Sequence, residues 1–281
     1  MSALVAGSLH LDVVLRAPKL PALDETVAGT AVDYVFGGKG GNQAVSAARM
    51  GANVHLIGRA GSDRFGDMIR EALEPSGVNL SQLQLDKGPS GMSAAIVNAD
   101  GEYGAVIVSA ANLNIEADKL YVPDGTSLVL LQNEVPEEIN LVMARRARAA
   151  GVQVWLNAAP ARRLPNALVE ALDLLIVNRV EAEFYAGTVP NTKMLITLGA
   201  EGVSYQGNHY PAFQIEVVSA HSAGDMFVGA LAAQVDSGNE MASAIRFAQA
   251  AAASHVAAEL DERVRLSPDS VSAFLEDHAN R

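Results

Sequence analysis

An alternation of short apolar runs with helix-like segments is the feature that most constrains how this chain can fold. Strand-like runs at 128–131, 152–156, 174–177 and 194–198 alternate with helix-like segments at 137–150, 166–172 and 181–186. Strands that alternate with helices form a parallel sheet whose two faces are both covered by helices. The sequence therefore predicts an α/β fold with three layers, in which a mostly parallel sheet is flanked by helices.

Two stretches interrupt this alternation, at about residues 10–36 and 88–109. Both alternate apolar and polar residues, which is typical of strands with one exposed face. In the second stretch, Asp100-Gly101 lies between two strand-like runs and is a strong hairpin signal. The two stretches predict a small separate β-sheet that projects from the core. Because no linker is evident, residues 1–281 are expected to form a single α/β domain.

Composition excludes several classes of function. The chain has no cysteine, which excludes a disulfide framework, a thiolate zinc site, a thiol nucleophile and an iron–sulfur cluster. Its 20 Lys+Arg residues and 32 Asp+Glu residues give a net charge of −12, so no nucleic-acid binding is expected. No run of about 18 apolar residues is present, so no membrane association is expected. The first residues lack the basic stretch of a signal peptide, and a cytoplasmic location is expected.

A glycine-rich stretch, Gly37-Gly38-Lys39-Gly40-Gly41-Asn42, precedes a helix-favouring segment at 43–50. Glycines let the backbone approach a ligand closely, and the free amides at a helix start favour polar or anionic groups. Lys39 and Asn42 can form hydrogen bonds with hydroxyl groups. The stretch lacks the spacing of a Walker A loop, and Gln43 stands at the third glycine position of a dinucleotide fingerprint. On its own, the stretch is equally compatible with a tight turn.

A second stretch, Ser219-Ala220-His221-Ser222-Ala223-Gly224-Asp225, leads small residues into a helical pattern at 227–235. The amides of Ala223 and Gly224 would lie in the first turn of that helix, where they suit a phosphate or a developing negative charge. Asp225 beside them could accept a proton from an alcohol. The alternative is that Asp225 only caps the helix.

A third stretch, Asn178-Arg179-Val180-Glu181, follows the strand-like run at 174–177. Polar groups at the carboxyl end of a parallel strand lie where α/β proteins bind ligands. A carboxylate such as Glu181 can hold the water molecules around a magnesium ion that nucleotide phosphates carry. A turn at Asn178 followed by a first-turn Glu181 is the alternative.

These stretches resemble, in the same order and over nearly the whole chain, segments of the ribokinase-like sugar kinases, also called the phosphofructokinase-B family. Residues 37–43, with the Ala-rich helix that ends at Gly51, resemble the N-terminal signature of that family, and residues 222–225 resemble its GAGD signature. Further similar segments are Gly7-Ser8 with Asp12, and residues 132–134, 157–160, 178–181 and 196–202. The ribokinases are the branch that the chain resembles most.

The resemblance implies transfer of the γ-phosphoryl group of ATP to a sugar hydroxyl, usually with magnesium. Asp225 would be the base that deprotonates the hydroxyl, and Ala223 and Gly224, with the backbone of Asp225, would form an anion hole. The positions that match sugar-contacting residues are Asp12, His10, Gly38, Lys39, Asn42 and Glu134. The positions that match nucleotide-contacting residues are Asn178, Thr197, Gly199, Gly202 and Gln249, and Glu181 matches the residue that organises magnesium-bound water.

The small β-sheet has a role in the same resemblance. It would form a lid over the sugar and exclude water, which would otherwise hydrolyse ATP. Exposed lid strands can pair between subunits, so a homodimer through the lid is expected.

Several positions depart from the family pattern. Ser219 replaces an acidic residue whose carboxylate helps hold an activating monovalent cation in ribokinases, and residues 259–263 do not resemble the loop that completes that cation site. Activation by potassium is therefore not expected. Ser222 replaces the first glycine of the GAGD signature. His10 stands where ribokinases usually have an asparagine at the sugar, which leaves the preference for ribose open.

The leading interpretation is an ATP-dependent kinase for a small sugar, with ribose or another pentose as the substrate. A nucleoside kinase of the same fold is one alternative, although the few aromatic residues around the lid segments disfavour a substrate that carries a base. A catalytically weak sugar-binding or regulatory protein is the other. Ser219 and the altered loop at 259–263 suggest this alternative. The residues that oppose it are Asp225, Lys39, Asn42 and Glu134.

Overall fold

A computed structural model describes residues 1–100, 102–259 and 262–279. The strands are β1 (Ser2–Ala6), β2 (His10–Arg16), β3 (Ala31–Gly37), β4 (Val54–Gly61), β5 (Asn79–Asp86), β6 (Met92–Val97), β7 (Tyr103–Val108), β8 (Thr126–Gln132), β9 (Gln153–Asn157), β10 (Leu174–Asn178), β11 (Met194–Thr197), β12 (Val203–Tyr205) and β13 (Asn208–Tyr210). The helices are α1 (Lys39–Arg49), α2 (Arg64–Leu73), α3 (Glu137–Ala149), α4 (Asn166–Ala171), α5 (Arg179–Tyr185), α6 (Ala223–Asp236), α7 (Met241–Ala257) and α8 (Pro268–Ala279).

Nine strands form the central sheet, in the order β13-β12-β11-β10-β9-β8-β1-β4-β5. Neighbouring strands from β11 to β5 are parallel, and β12 and β13 extend one edge, each antiparallel to the strand before it. The chain adds β4 and β5 on one side of β1 and later adds β8 to β11 on the other side. In α/β proteins, the carboxyl ends of the strands at such a reversal form the crevice in which ligands bind.

Each face of the central sheet carries its own apolar core. Leu128 and Leu130 of β8 pack in the core that also contains the buried faces of α1, α2, α6 and α7. Val129 and Leu131 of the same strand pack in the core that contains buried side chains of α3, α4 and α5. Burial on both faces accounts for the continuous apolar runs of the parallel strands. The predicted three-layer α/β fold with a mostly parallel sheet is therefore confirmed.

The two stretches that interrupt the alternation form a second sheet, in the order β3-β2-β6-β7. The pairs β2–β3 and β6–β7 are antiparallel, while β2 and β6 are parallel, so this small sheet is mixed. The separate sheet and the pairing of the two strands around Asp100-Gly101 are confirmed, although Gly101 itself lies outside the described residues. Among those residues, none of the helices combines the length and apolar character that a membrane crossing requires.

Local boundaries differ from the prediction where packing decides them. Helix α1 begins at Lys39 rather than at the predicted 43, so Gly40 and Gly41 belong to its first turn. A Cβ atom on Gly40 would lie 2.5 Å from the carbonyl carbon of Gly7, so glycine lets α1 pack directly on the turn after β1. Strands β5, β12 and β13 were not predicted from the sequence, because β5 is largely polar and the other two strands have only three residues each.

Candidate active site

A cavity of about 500 Å³ lies at the carboxyl ends of the central strands, between the main sheet and the small sheet. The predicted site residues in its wall are His10, Asp12, Gly38, Lys39, Asn42, Glu134, Asn178, Glu181, Thr197, Ala223, Gly224 and Asp225. The fold thus brings into one cavity segments that are far apart in the sequence. The other predicted site residues, Gly199, Gly202 and Gln249, do not belong to this wall.

Asp225 is half-buried in the first turn of α6. Two side-chain amides of α1 donate to its carboxylate, Gln43 Nε2 to Oδ1 at 2.9 Å and Asn42 Nδ2 to Oδ2 at 3.3 Å. The glycine-rich stretch and the GAGD-like stretch therefore meet where α1 and α6 begin. The N-cap of α6 is Ser222, so the alternative in which Asp225 serves only as the helix cap is not supported.

Gln43 connects Asp225 to a network of side-chain amides that was not predicted from the sequence. Its Nε2 also donates to Asn157 Oδ1 at 2.9 Å, and its Oε1 accepts from Gln132 Nε2 at 2.9 Å. The side chain of Gln43 is fully buried. The available signal was a glutamine inside an Ala-rich helix, because a buried amide must find hydrogen-bond partners.

The electrostatic surroundings of Asp225 suit a base. Burial raises the pKa of the Asp225 carboxyl above its ordinary value. The positive charge of Lys39 and the hydrogen bonds from Gln43 and Asn42 act against this rise in pKa, whereas the negative charge of Glu134 adds to it. A carboxylate with a raised pKa takes up a proton more readily, while its two amide donors hold it in one orientation.

The start of α6 also offers backbone donors to the cavity. The amides of Gly224 and Asp225 donate to no other described residue, whereas the Ala223 amide donates to Ala220 O at 3.2 Å. A Cβ atom on Gly224 would meet no atom within 4 Å, so the backbone is open there. Two free amides beside a helix N-terminus form a suitable site for an anionic group.

Glu134 follows β8 and is fixed by two donors from other parts of the cavity wall. Its Oε2 accepts from the Lys39 amide at 2.9 Å and from Ser8 Oγ at 2.5 Å. The Lys39 amide is one of the free donors at the start of α1, where a carboxylate is favoured. Both bonds use the same carboxylate oxygen, so Oε1 is left to accept from a hydroxyl group.

The small sheet contributes Asp12 and His10, both on β2. Ser93 Oγ donates to Asp12 Oδ1 at 2.5 Å, and a Cβ atom on Gly37 would lie 2.1 Å from Asp12 Oδ2, so glycine leaves room for this carboxylate. His10 is 4% exposed, and its Nε2 has no partner among the described residues. Burial lowers the pKa of His10 despite the charges of Glu134 and Asp12, which favours the neutral ring. An unpaired buried nitrogen is a natural partner for a ligand hydroxyl.

Asn178 and Glu181 lie where β10 passes into α5, in another part of the wall. The Glu181 amide donates to Asn178 Oδ1 at 2.9 Å, and the Asn178 amide donates to Glu181 Oε2 at 2.8 Å. These bonds form the helix cap that was the alternative interpretation, but they leave Glu181 Oε1 for other partners. Thr197, at the end of β11, donates from Oγ1 to Val177 O at 3.3 Å.

The three predicted residues outside the wall shape the edge formed by β12 and β13. Gly199 and Gly202 flank a short turn after β11 and have φ angles of 61° and 109°. A Cβ atom on Gly202 would lie 2.0 Å from Tyr210 O, so only glycine permits this close approach. Gln249 of α7 is buried and donates from Nε2 to the same Tyr210 carbonyl at 2.8 Å. A role for these residues toward a nucleotide stays a prediction.

Comparison with known proteins agrees with this arrangement. Residues 2–261 match the family model described as "pfkB family carbohydrate kinase". The chain is 34% identical over 264 residues to a ribokinase of Bacillus subtilis, with 88% of this chain and 90% of that protein covered. Its fold matches the solved structure of Arabidopsis thaliana ribokinase complexed with ribose and ATP, with a TM-score of 0.87, 27% identity and 98% of both chains covered. A nucleoside kinase of Methanocaldococcus jannaschii shares the fold at 19% identity, with a TM-score of 0.84, 99% of this chain and 98% of that chain covered.

Proposed function

This chain belongs to the pfkB family of carbohydrate kinases, and we propose that it transfers the γ-phosphoryl group of ATP to a hydroxyl of a small sugar, ribose or another pentose. As a carbohydrate kinase, it is a phosphotransferase with an alcohol group as acceptor. The observation that carries the proposal is the setting of Asp225. Its carboxylate lies beside two free backbone amides and in the same cavity as Lys39 and Glu134.

In the proposed reaction, the Asp225 carboxylate accepts the proton of the sugar hydroxyl as that oxygen attacks the γ-phosphorus of ATP. A bond forms between the sugar oxygen and the γ-phosphorus. The bond from the γ-phosphorus to the oxygen that bridges to the β-phosphate breaks, and its electron pair leaves with ADP. Such transfers depend mainly on alignment and charge stabilisation. The amides of Gly224 and Asp225 supply donors for the negative charge of the transferred group.

We infer that magnesium enters with the nucleotide and that Glu181 holds water bound to it. Among the described residues, no group of three or more His, Cys, Asp or Glu side chains could bind a metal ion by itself. A magnesium ion carried by phosphates needs only one or two protein carboxylates, and Glu181 in the cavity wall has one oxygen outside its cap. When bound, the ion neutralises phosphate charge.

The cavity wall favours a free sugar over a nucleoside. The described wall contains no Phe, Tyr or Trp side chain that could stack on a base. The polar groups His10, Asp12 and Glu134 instead offer hydrogen bonds to hydroxyl groups. A nucleoside kinase remains the second candidate because a nucleoside kinase shares the fold. Assays with pentoses and with the corresponding ribosides separate the two, and turnover of ribosides alone would overturn the assignment to sugars.

We propose that the small sheet is a lid over the sugar and also joins two subunits. Residues of β2, β6 and β7 reach the cavity wall, as Asp12, Ser93 and Ile107 do. On the edge strand β7, Val106 and Val108 are 67% and 50% exposed, and exposed apolar strand edges tend to pair. Analytical ultracentrifugation is expected to show a dimer that Val106→Lys with Val108→Lys dissociates. A monomeric wild type would contradict the dimer.

The decisive experiment measures phosphate transfer from ATP and magnesium to a panel of sugars by wild type and Asp225→Asn. We expect the substitution to lower kcat by about 10²- to 10⁴-fold, because a positioned general base contributes that much, with sugar binding retained. Asp269→Asn is the matched control, since Asp269 also lies in the first turn of a helix but is exposed and outside the cavity wall.

Two outcomes would contradict the proposal in different ways. Wild-type turnover that Asp225→Asn leaves unchanged would show that Asp225 is not the base. Sugar binding by wild type without turnover of any sugar would favour a binding or regulatory protein instead.

A further inference from the structure

Arg263 holds the loop that precedes α6. It lies in the short turn Arg263–Arg265 after α7 and is 5% exposed. Its Nη2 donates to Ser219 O at 2.8 Å, its Nη1 to His221 O at 3.3 Å and its Nε to Ala258 O at 3.2 Å. The carbonyls of Ser219, His221 and Ala258 form a carbonyl cage around the guanidinium group. Two of them belong to the stretch that leads into the anion hole.

The guanidinium group in this cage resembles a bound monovalent cation in its electrostatics. No described Asp or Glu side chain forms an ion pair with Arg263. Its described hydrogen-bond partners are the three carbonyls of the cage and the ring of His255. Burial lowers the pKa of Arg263 and the negative charge of Glu259 acts against this fall, and an arginine side chain remains charged in a folded protein. One positive charge surrounded by main-chain carbonyls is also the arrangement in which potassium-channel filters hold potassium.

The neighbouring histidine adds no charge to the cage. His255 Nε2 lies 3.0 Å from His221 O and 3.4 Å from Arg263 Nη1. Burial, with the charges of Arg263 and Arg49, lowers the pKa of His255 to about 4, whereas its hydrogen bond with His221 O favours the charged ring. The ring is therefore neutral near neutral pH.

The cage is coupled to the anion hole through Ser222. The His221 carbonyl belongs to the peptide just before Ser222, whose φ of 58° is unfavourable for a residue with a Cβ atom. Asn42 Nδ2 holds the Ser222 side chain at 3.2 Å, and the guanidinium group holds the peptide before it. Ser222 is the N-cap of α6, so this angle sets where the amides of Gly224 and Asp225 lie.

We propose that Arg263 is a positioning residue that serves as a built-in monovalent cation and keeps the anion hole in place without potassium. The inference rests on the proposed phosphoryl transfer. A free potassium ion does not fit the same cage, because the guanidinium group already bonds to the carbonyls of Ser219 and His221 and no carboxylate is present at position 219.

The first test compares wild-type rates in potassium chloride and in tetramethylammonium chloride at equal ionic strength. Equal rates are expected, because the cage carries its own cation. Stimulation by potassium of many-fold would overturn the inference. This comparison does not depend on the folding of any variant. Absence of turnover in both salts, by contrast, would count against the proposed function and not specifically against Arg263.

The second test uses Arg263→Ala in tetramethylammonium chloride. We expect kcat to fall by about 100-fold, the effect of a small misplacement of catalytic groups, with little change in the KM for the sugar. Added guanidinium or potassium is expected to restore part of kcat, whereas urea, which has the same shape without the charge, is not. Arg263→Met fills the space without a charge and is expected to resist rescue. Arg265→Ala, at an exposed neighbour, is the control with unchanged kcat.

Circular dichroism and thermal melts establish that each variant is folded before its kinetics are interpreted. A folded Arg263→Ala with wild-type kcat in tetramethylammonium would refute a positioning role. A folded Arg263→Ala that neither guanidinium nor potassium restores would refute the cation role, because a merely structural contact would not respond to a small cation.

Discussion

Replacing Gln43 with leucine tests how the buried amides control the proposed base. Gln43 Nε2 donates to Asp225 Oδ1 at 2.9 Å, and a hydrogen bond to a charged group contributes about 1.5–3 kcal/mol. Because about 1.4 kcal/mol is a factor of ten, losing this donor disfavours the carboxylate form by about 10- to 100-fold. The pKa of Asp225, already raised by burial, should rise further. The acid limb of the pH–rate profile should therefore move to higher pH.

The assay is kcat as a function of pH for wild type and Gln43→Leu. Since the carboxylate is the reactive form, the variant should lose most activity on the acid side and recover much of it as the pH rises. Gln43→Leu also removes a partner of half-buried Asn157 and one of fully buried Gln132. A buried polar group left unpaired costs about 1–3 kcal/mol, so the loss at Gln132 should lower the Tm.

Gln82→Leu is the matched control for this loss of stability. Gln82 is also buried, accepts from the Tyr121 amide at 3.0 Å and is absent from the cavity wall. It should lower the Tm and leave the acid limb in place. A uniform fall in the rate of Gln43→Leu, with the acid limb at its wild-type pH, would refute the argument that Gln43 acts through the ionisation of Asp225.

Three further outcomes are expected. Burial raises the folded-state pKa of Asp225, so ionisation of its carboxyl lowers the stability of the folded protein above that pKa. Asp225→Asn should therefore have a higher Tm than wild type at about pH 8 and a smaller excess in Tm in acid. An equal Tm difference at both pH values would contradict this. Gly229→Ala would place a Cβ atom 2.5 Å from the Cβ of Ser46, so it should separate α1 from α6 and lower both Tm and kcat. Gly104→Ala, whose Cβ would meet no atom within 4 Å, should lower neither, and equal Tm values for the two variants would contradict the prediction. His10→Phe should raise the KM for the sugar by about tenfold, which corresponds to the loss of one hydrogen bond, and leave the KM for ATP unchanged. An unchanged KM for the sugar would show that His10 does not contact the sugar.

Much of the fold was predictable because its signals are local. Apolar runs such as 128–131 alternate with helical segments, and each element shows its apolar period within its own few residues. The small sheet was predictable for the same reason, from period-two patterns. The edge strands β12 and β13 were not, because three-residue strands have too few side chains to show a period.

Some residues of the candidate site could likewise be predicted from sequence motifs, whereas others are revealed only by tertiary contacts. Lys39, Glu134 and Asp225 were identified from motifs, and the cavity wall contains all three. The roles of Gln43 and Arg263 were not identified. Their partners lie on segments distant in sequence, such as Asp225 for Gln43 and the Ser219 carbonyl for Arg263. A hydrogen bond of this kind has no periodicity that a sequence could display.

The sequence by itself determined most of the strands and helices, without β5, β12 and β13, and the identity of the chemical groups, because propensity, apolar period and motif spacing act over a few residues. Only the tertiary structure decided which groups meet. The close approach of α1 to α6 brings Gln43 to Asp225, and the turn after α7 brings the Arg263 guanidinium to the loop before α6. The first contact joins helices that are far apart in the chain, and the second depends on how α6 and α7 pack against each other. Both packings are settled by the shape of the whole core.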